Sequence, residues 1–64
     1  MTLRELWEQK RLSPTELAGQ ARISVPTLYK INRKEPVREG NIKAVCRVLD
    51  ITRDQFNELE KDNA

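Results

Sequence analysis

Apolar residues along this 64-residue chain recur three and four positions apart, and no stretch alternates with a period of two for long enough to suggest a sheet. The pattern is helical throughout. Four starts share one design: a serine or threonine, an apolar residue just before it, and another four positions on. Such a residue caps a helix with its side-chain oxygen, and the flanking apolar pair closes as a staple. Thr2 opens helix 1, with Glu5 as its reciprocal partner and Met1 against Leu6. Leu3, Leu6 and Trp7 share one face, and this helix is expected to reach about Arg11. Ser13 opens a short helix 2 that ends near Ala21. Pro14 takes its first helical position, Glu16 completes the capping box, and Leu12 staples onto Leu17. Ser24 opens helix 3, with Ile23 and Leu28 as staple and Pro26 in the first turn, where proline is tolerated. Leu28 and Ile31 point inward, and the helix ends around Asn32 or Arg33. Pro36 makes residues 33–38 a loop. Helix 4 covers about 39–49, with Ile42, Val45, Cys46 and Leu49 on one face; Thr52 opens helix 5, with Gln55 as box partner and Ile51 against Phe56. The domain is thus expected over 1–60, with 61–64 a frayed tail, and Glu58, Glu60 and Asp62 are expected to form a solvated cluster at that end of the chain.

Length and composition narrow the chemistry. A chain this short makes one domain, and buries only about 60% of the surface its unfolded form exposes. It has no histidine and one cysteine, Cys46, which on the apolar face of helix 4 is expected to be inert packing. Zinc sites of the Cys/His kinds and histidine-based triads are excluded, and no metal, cofactor or small-molecule pocket is expected. No pair of carboxylates has an apolar pocket to shift its acidity, so the chain does not read as an enzyme. No apolar run approaches the roughly 20 residues of a membrane span. The charged N-terminus is not a secretion signal, and a fold held by helix packing alone suits a reducing cytoplasm.

Net charge is only +2, but it is unevenly placed. Residues 22–38 carry Arg22, Lys30, Arg33, Lys34 and Arg38 against Glu35 alone, five positive charges less one. The segment before them is neutral and the one after acidic, a footprint that fits a polyanion.

Only Arg22-Ile23-Ser24 separates helices 2 and 3, a turn suited to two helices crossing steeply. Ala18 falls where that crossing is closest, and Leu17, Ala21, Ile23, Leu28 and Ile31 form the apolar seam beneath. This is the helix-turn-helix arrangement in an all-α, five-helix domain. Residues Leu12-Ser-Pro-Thr-Glu-Leu-Ala18, Ile23-Ser24 and Thr27-Leu28-Tyr-Lys-Ile31 resemble the phage lambda- and 434-repressor-like (Cro/XRE-type) helix-turn-helix family. Leu49-Asp50-Ile51-Thr52 resembles that family's turn between helices 4 and 5, so the likeness covers roughly residues 3–59. Two positions depart from it. Arg22 stands where the turn usually has glycine, which would strain a left-handed residue and adjust the turn slightly. The family's arginine on helix 1 and glutamate at the end of helix 3 correspond to Trp7 and Asn32. Because both members changed together, Trp7 is expected to pack near Asn32, its indole N–H seeking a polar partner.

The resemblance implies that helix 3 is a recognition helix in the major groove of double-stranded DNA. Val25, Pro26, Thr27, Tyr29 and Lys30 would then meet the bases. Val25 and Pro26 offer apolar surface for a thymine methyl, Thr27 a methyl and a hydroxyl, and Lys30 a donor for guanine or phosphate. Tyr29 is equally suited to a groove contact or to a half-buried spacer. Phosphates would be held by Arg33, Lys34 and Arg38, and by Ser13 with the free N–H groups opening helix 2. The start of helix 4 is a weaker anion site, opposed by Glu39. Few side chains here make bidentate base contacts, so modest intrinsic specificity is expected, helped by DNA shape. Three neutralised phosphates would give a salt slope of roughly −3 per monomer.

A repressor-like transcriptional regulator on the cytoplasmic nucleoid is the leading function. It would act as a weak homodimer on a palindrome, meeting through helix 5 and the end of helix 4, with Leu59 a candidate contact. If the chain is the whole protein, that interface is small; if it is an N-terminal piece, dimerisation lies in further sequence. The alternatives are a protein-interaction module that kept the fold but lost DNA, and the antitoxin half of a toxin–antitoxin pair.

Overall fold

The computed structural model describes residues 1–63. It has five helices: α1 (Leu3–Gln9), α2 (Pro14–Ala21), α3 (Val25–Asn32), α4 (Glu39–Leu49) and α5 (Arg53–Glu58). The four capping residues expected from sequence all cap. Thr2, Ser13, Ser24 and Thr52 each accept a hydrogen bond from the backbone N–H three residues on. Glu5, Glu16 and Gln55 reach back to close three full capping boxes. Only α4 starts without a side-chain cap, behind Arg38.

One stop geometry recurs at the ends of α1 to α4. In each, the N–H of the residue that follows the left-handed one bonds five residues back: Leu12 to the Trp7 carbonyl, Ile23 to Ala18, Glu35 to Lys30 and Ile51 to Cys46. The left-handed residue that this stop requires is Arg11, Arg22, Lys34 or Asp50, none of them glycine. The turn at Arg22 is therefore not adjusted away; Arg22 adopts φ 59° and ψ 44°. Helix 1 stops two residues short of Arg11 for the same reason, Arg11 being its left-handed residue.

Leu3, Trp7, Leu17, Ala18, Ala21, Leu28, Ile31, Ile42, Val45, Cys46, Leu49 and Phe56 form one core. Helix 4 packs chiefly across α2, and α3 crosses α2 where Ala18 and Ala21 are buried. Trp7 meets α3 edge-to-face at Tyr29, ring centroids 6.0 Å apart and planes at 81°. The amide of Asn32 does not serve the indole, however. Its Oδ1 accepts from the Arg4 N–H and its Nδ2 donates to Asp62, both at 3.0 Å.

That second bond corrects the expected tail. Asp62 does not fray away: it is only 6% exposed and its N–H donates to the Asn32 carbonyl. Glu60 forms a parallel bridge with Thr2, its N–H donating to the Met1 carbonyl at 2.8 Å. A carboxylate that finds buried partners outweighs the entropy of a free end. Glu58 and Glu60 remain exposed, and Ala64 of the expected tail lies outside the described residues. No helix among the described residues is long and apolar enough to cross a membrane.

Candidate nucleic-acid interface

Burial of Leu28, Ile31 and Asn32 fixes the rotation of α3 and decides what it offers outward. Positions 26, 30 and 33, spaced by four and three, run along the opposite side. Pro26 and Lys30 are exposed there, and Arg33 is half-buried. Val25 is half-buried against the core, which leaves part of its surface at the leading end of the helix. Thr27 is half-buried too, and its hydroxyl is tied to Ser24 Oγ at 2.8 Å. Its methyl is thus the freer part for a base. Tyr29 is half-buried, with its ring edge-to-face against Trp7 of α1.

The cations expected to hold phosphate separate into three kinds. Lys30 and Arg38 are exposed and make no ion pair among the described residues. Arg33 is paired with Glu35, and that bond holds the Glu35 carboxyl below the usual glutamate range. Lys34 is turned inward. Its Nζ donates to the Phe56 carbonyl at 2.6 Å and lies 3.7 Å from the centre of the Phe56 ring. Burial, and then the neighbouring Arg53, push its ammonium below the ordinary lysine range. The left-handed backbone at Lys34 aims the side chain at α5, a direction that sequence spacing does not show.

Ser13 is exposed, but its oxygen accepts from the Glu16 N–H and Pro14 has no N–H to give. What remains for an anion is the Ser13 hydroxyl proton and the Thr15 N–H. At the start of α4, Glu39 is neutralised by Arg53, which spans both carboxylate oxygens and holds the carboxyl below its usual range. Arg53 also reaches Asn57 and lies over the Phe56 ring, tying α4 to α5. Cys46 is buried among apolar neighbours, and burial pushes its thiol up.

Two contributors were not visible in the sequence. Lys61, in the docked tail, adds to Arg33 and Lys30 in holding the Glu35 carboxyl below its usual range. Asn32 proves to be a hub between α1, α3 and the tail. Both depend on a contact across some thirty residues of chain, for which no local signal exists.

A family model described as a Cro/C1-type HTH DNA-binding domain matches residues 2–62, and so includes the docked tail as well as the five helices. Comparison with curated proteins gives no match. Comparison with solved structures gives none either. A match over almost the whole chain, on five helices with a capped two-helix unit at its centre, decides the matter: the chain belongs to the Cro/C1-type helix-turn-helix DNA-binding family.

Proposed function

We propose that the protein is a sequence-specific transcriptional regulator, repressor-like, that lays α3 in the major groove of double-stranded DNA. The observation that carries this reading is the exposed side of α3, where Pro26, Lys30 and Arg33 stand opposite the buried Leu28 and Ile31. In this reading Val25, Pro26 and the Thr27 methyl meet thymine methyls, and Lys30 donates to guanine O6 and N7. Tyr29 touches the groove wall at most. Arg38 and Ser13 hold phosphates, and Arg33 joins them by exchanging Glu35 for a phosphate oxygen. Lys34 is left out, since its ammonium is engaged with Phe56.

Two copies on half-sites about one helical turn apart would supply the affinity that one short helix lacks. A helix 5 contact would draw little on Leu59, which packs against its own core. Met1, at 46%, is the one exposed large hydrophobic residue among those described. Pairing is therefore expected on DNA and not in free solution.

A gel-shift titration on duplex at low salt tests the reading. The intact chain should bind, and Lys30→Glu combined with Arg33→Glu should abolish binding while the circular dichroism spectrum stays helical. Binding that survives both reversals would move the DNA contact off α3, and an intact chain that binds no duplex would favour an interaction module instead. A toxin-binding role would show as tight complex formation with a protein partner that leaves these charges unused.

A further inference from the structure

The recognition helix is held at both ends, and the far end is held by the tail. Asn32, the last residue of α3, is 1% exposed, so its amide must find partners inside the protein. One is the Arg4 N–H, an otherwise unpaired donor in the first turn of α1. The other is Asp62, which grips Asn32 twice: its carboxylate accepts from Nδ2 and its N–H donates to the Asn32 carbonyl at 3.2 Å. The same carboxylate oxygen lies 3.1 Å from Arg4 Nε, so one buried acid joins α1, α3 and the tail.

We propose that Asp62 is a positioning residue for DNA recognition: by clamping Asn32 and Arg4 it sets the angle at which α3 leaves the body of the protein. The inference rests on α3 being the reading helix. Leu28 and Ile31 hold the middle of α3 in the core, so loss of Asp62 frees only its last turn to tilt, and a small misplacement at the reading face weakens contacts with bases much more than contacts with phosphates. Organising the helix before binding reduces the ordering that binding must otherwise impose.

Charge makes the test discriminating. Asp62→Ala removes a negative charge, which by itself strengthens attachment to any DNA. Binding of wild type and Asp62→Ala would be measured well below both melting temperatures. The probes are a duplex enriched by the intact chain from a random pool and an alternating duplex of equal length. The expected result is about tenfold weaker binding to the enriched duplex, with binding to the alternating duplex unchanged or stronger. An unchanged ratio between the two, whether both affinities hold or both fall together, would overturn the proposal and leave Asp62 a purely stabilising residue.

If Asp62→Ala does not fold, Asp62→Asn keeps an acceptor for Asn32, loses the pair with Arg4, and is expected to show a smaller fall in the same ratio. Amide hydrogen exchange separates this inference from the DNA reading itself. Loss of Asp62 should speed exchange in the last turn of α3 and leave α2 and α4 as they were; unchanged exchange there would sink the clamp. Failure of the intact chain to bind any duplex would sink the reading while the clamp is still judged by exchange.

Discussion

At Arg11, Arg22, Lys34 and Asp50 the backbone adopts a conformation that suits glycine, while the two glycines sit inside helices with nothing near them. A Cβ in the left-handed region costs about 1–2 kcal/mol, and a glycine in a helix interior about 0.5–1 kcal/mol relative to alanine. Arg22→Gly is therefore expected to stabilise the fold by about 1 kcal/mol and Gly19→Ala by roughly 0.5–1 kcal/mol. Each should raise the melting temperature by several degrees in a thermal scan. Lys34 and Arg38 make a second contrast. Lys34→Ala removes a cation from the face of Phe56 and a bond to its carbonyl, and should cost about 1–2 kcal/mol in denaturant titrations without altering the salt slope of DNA binding. Arg38→Ala should do the reverse: stability within about 0.5 kcal/mol of wild type, and a slope reduced by about one.

At the scale of the helices, three exposed carboxylates make stability depend on acid, one in a capping box and two in ion pairs. The Glu5 carboxyl is held below the usual range first by the Thr2 N–H, Glu35 by Arg33, and Glu39 by Arg53. Each holds its proton less tightly in the folded chain than in the unfolded one. What each adds to stability is complete above the unfolded value of about 4.3, and drains away as pH falls through the lowered folded values. The melting temperature should hold from pH 7 down to about pH 4.5 and then decline towards pH 3. Glu39→Gln should lower the melting temperature at pH 7 and remove part of that acid decline; an identical decline would assign the loss elsewhere. Because these carboxylates are exposed, added salt should shrink the effect. All of the helix starts that side chains cap could be read directly, since a cap lies within three residues of its helix. The stops at Ala21, Asn32 and Leu49 also fall where they were expected; their left-handed geometry could not be read, because the residue types that adopt it are not glycine.

For the whole molecule, the quantity that matters is how many positive charges remain available to DNA. With Lys34 engaged by Phe56, Arg33 and Arg38 are left to hold phosphate, and the salt slope per monomer should be nearer −2 than −3, at roughly −0.9 per phosphate. Measuring affinity against salt concentration checks this, and a slope near zero would contradict the electrostatic half of the reading. The order of the helices, the burial of Ala18 and the outward placement of Lys30 were all legible in the chain, since each follows from short-range periodicity and caps. The inward turn of Lys34, the pairing of Tyr29 with Trp7 and the docking of Asp62 were not. Local spacing determines which face of a helix is apolar, because that rule repeats within two turns. Which side chain from a distant segment then fills the gap at Asn32 depends on how the finished helices lie against one another. Only the folded chain decides that, by the demand that a buried amide be fully bonded.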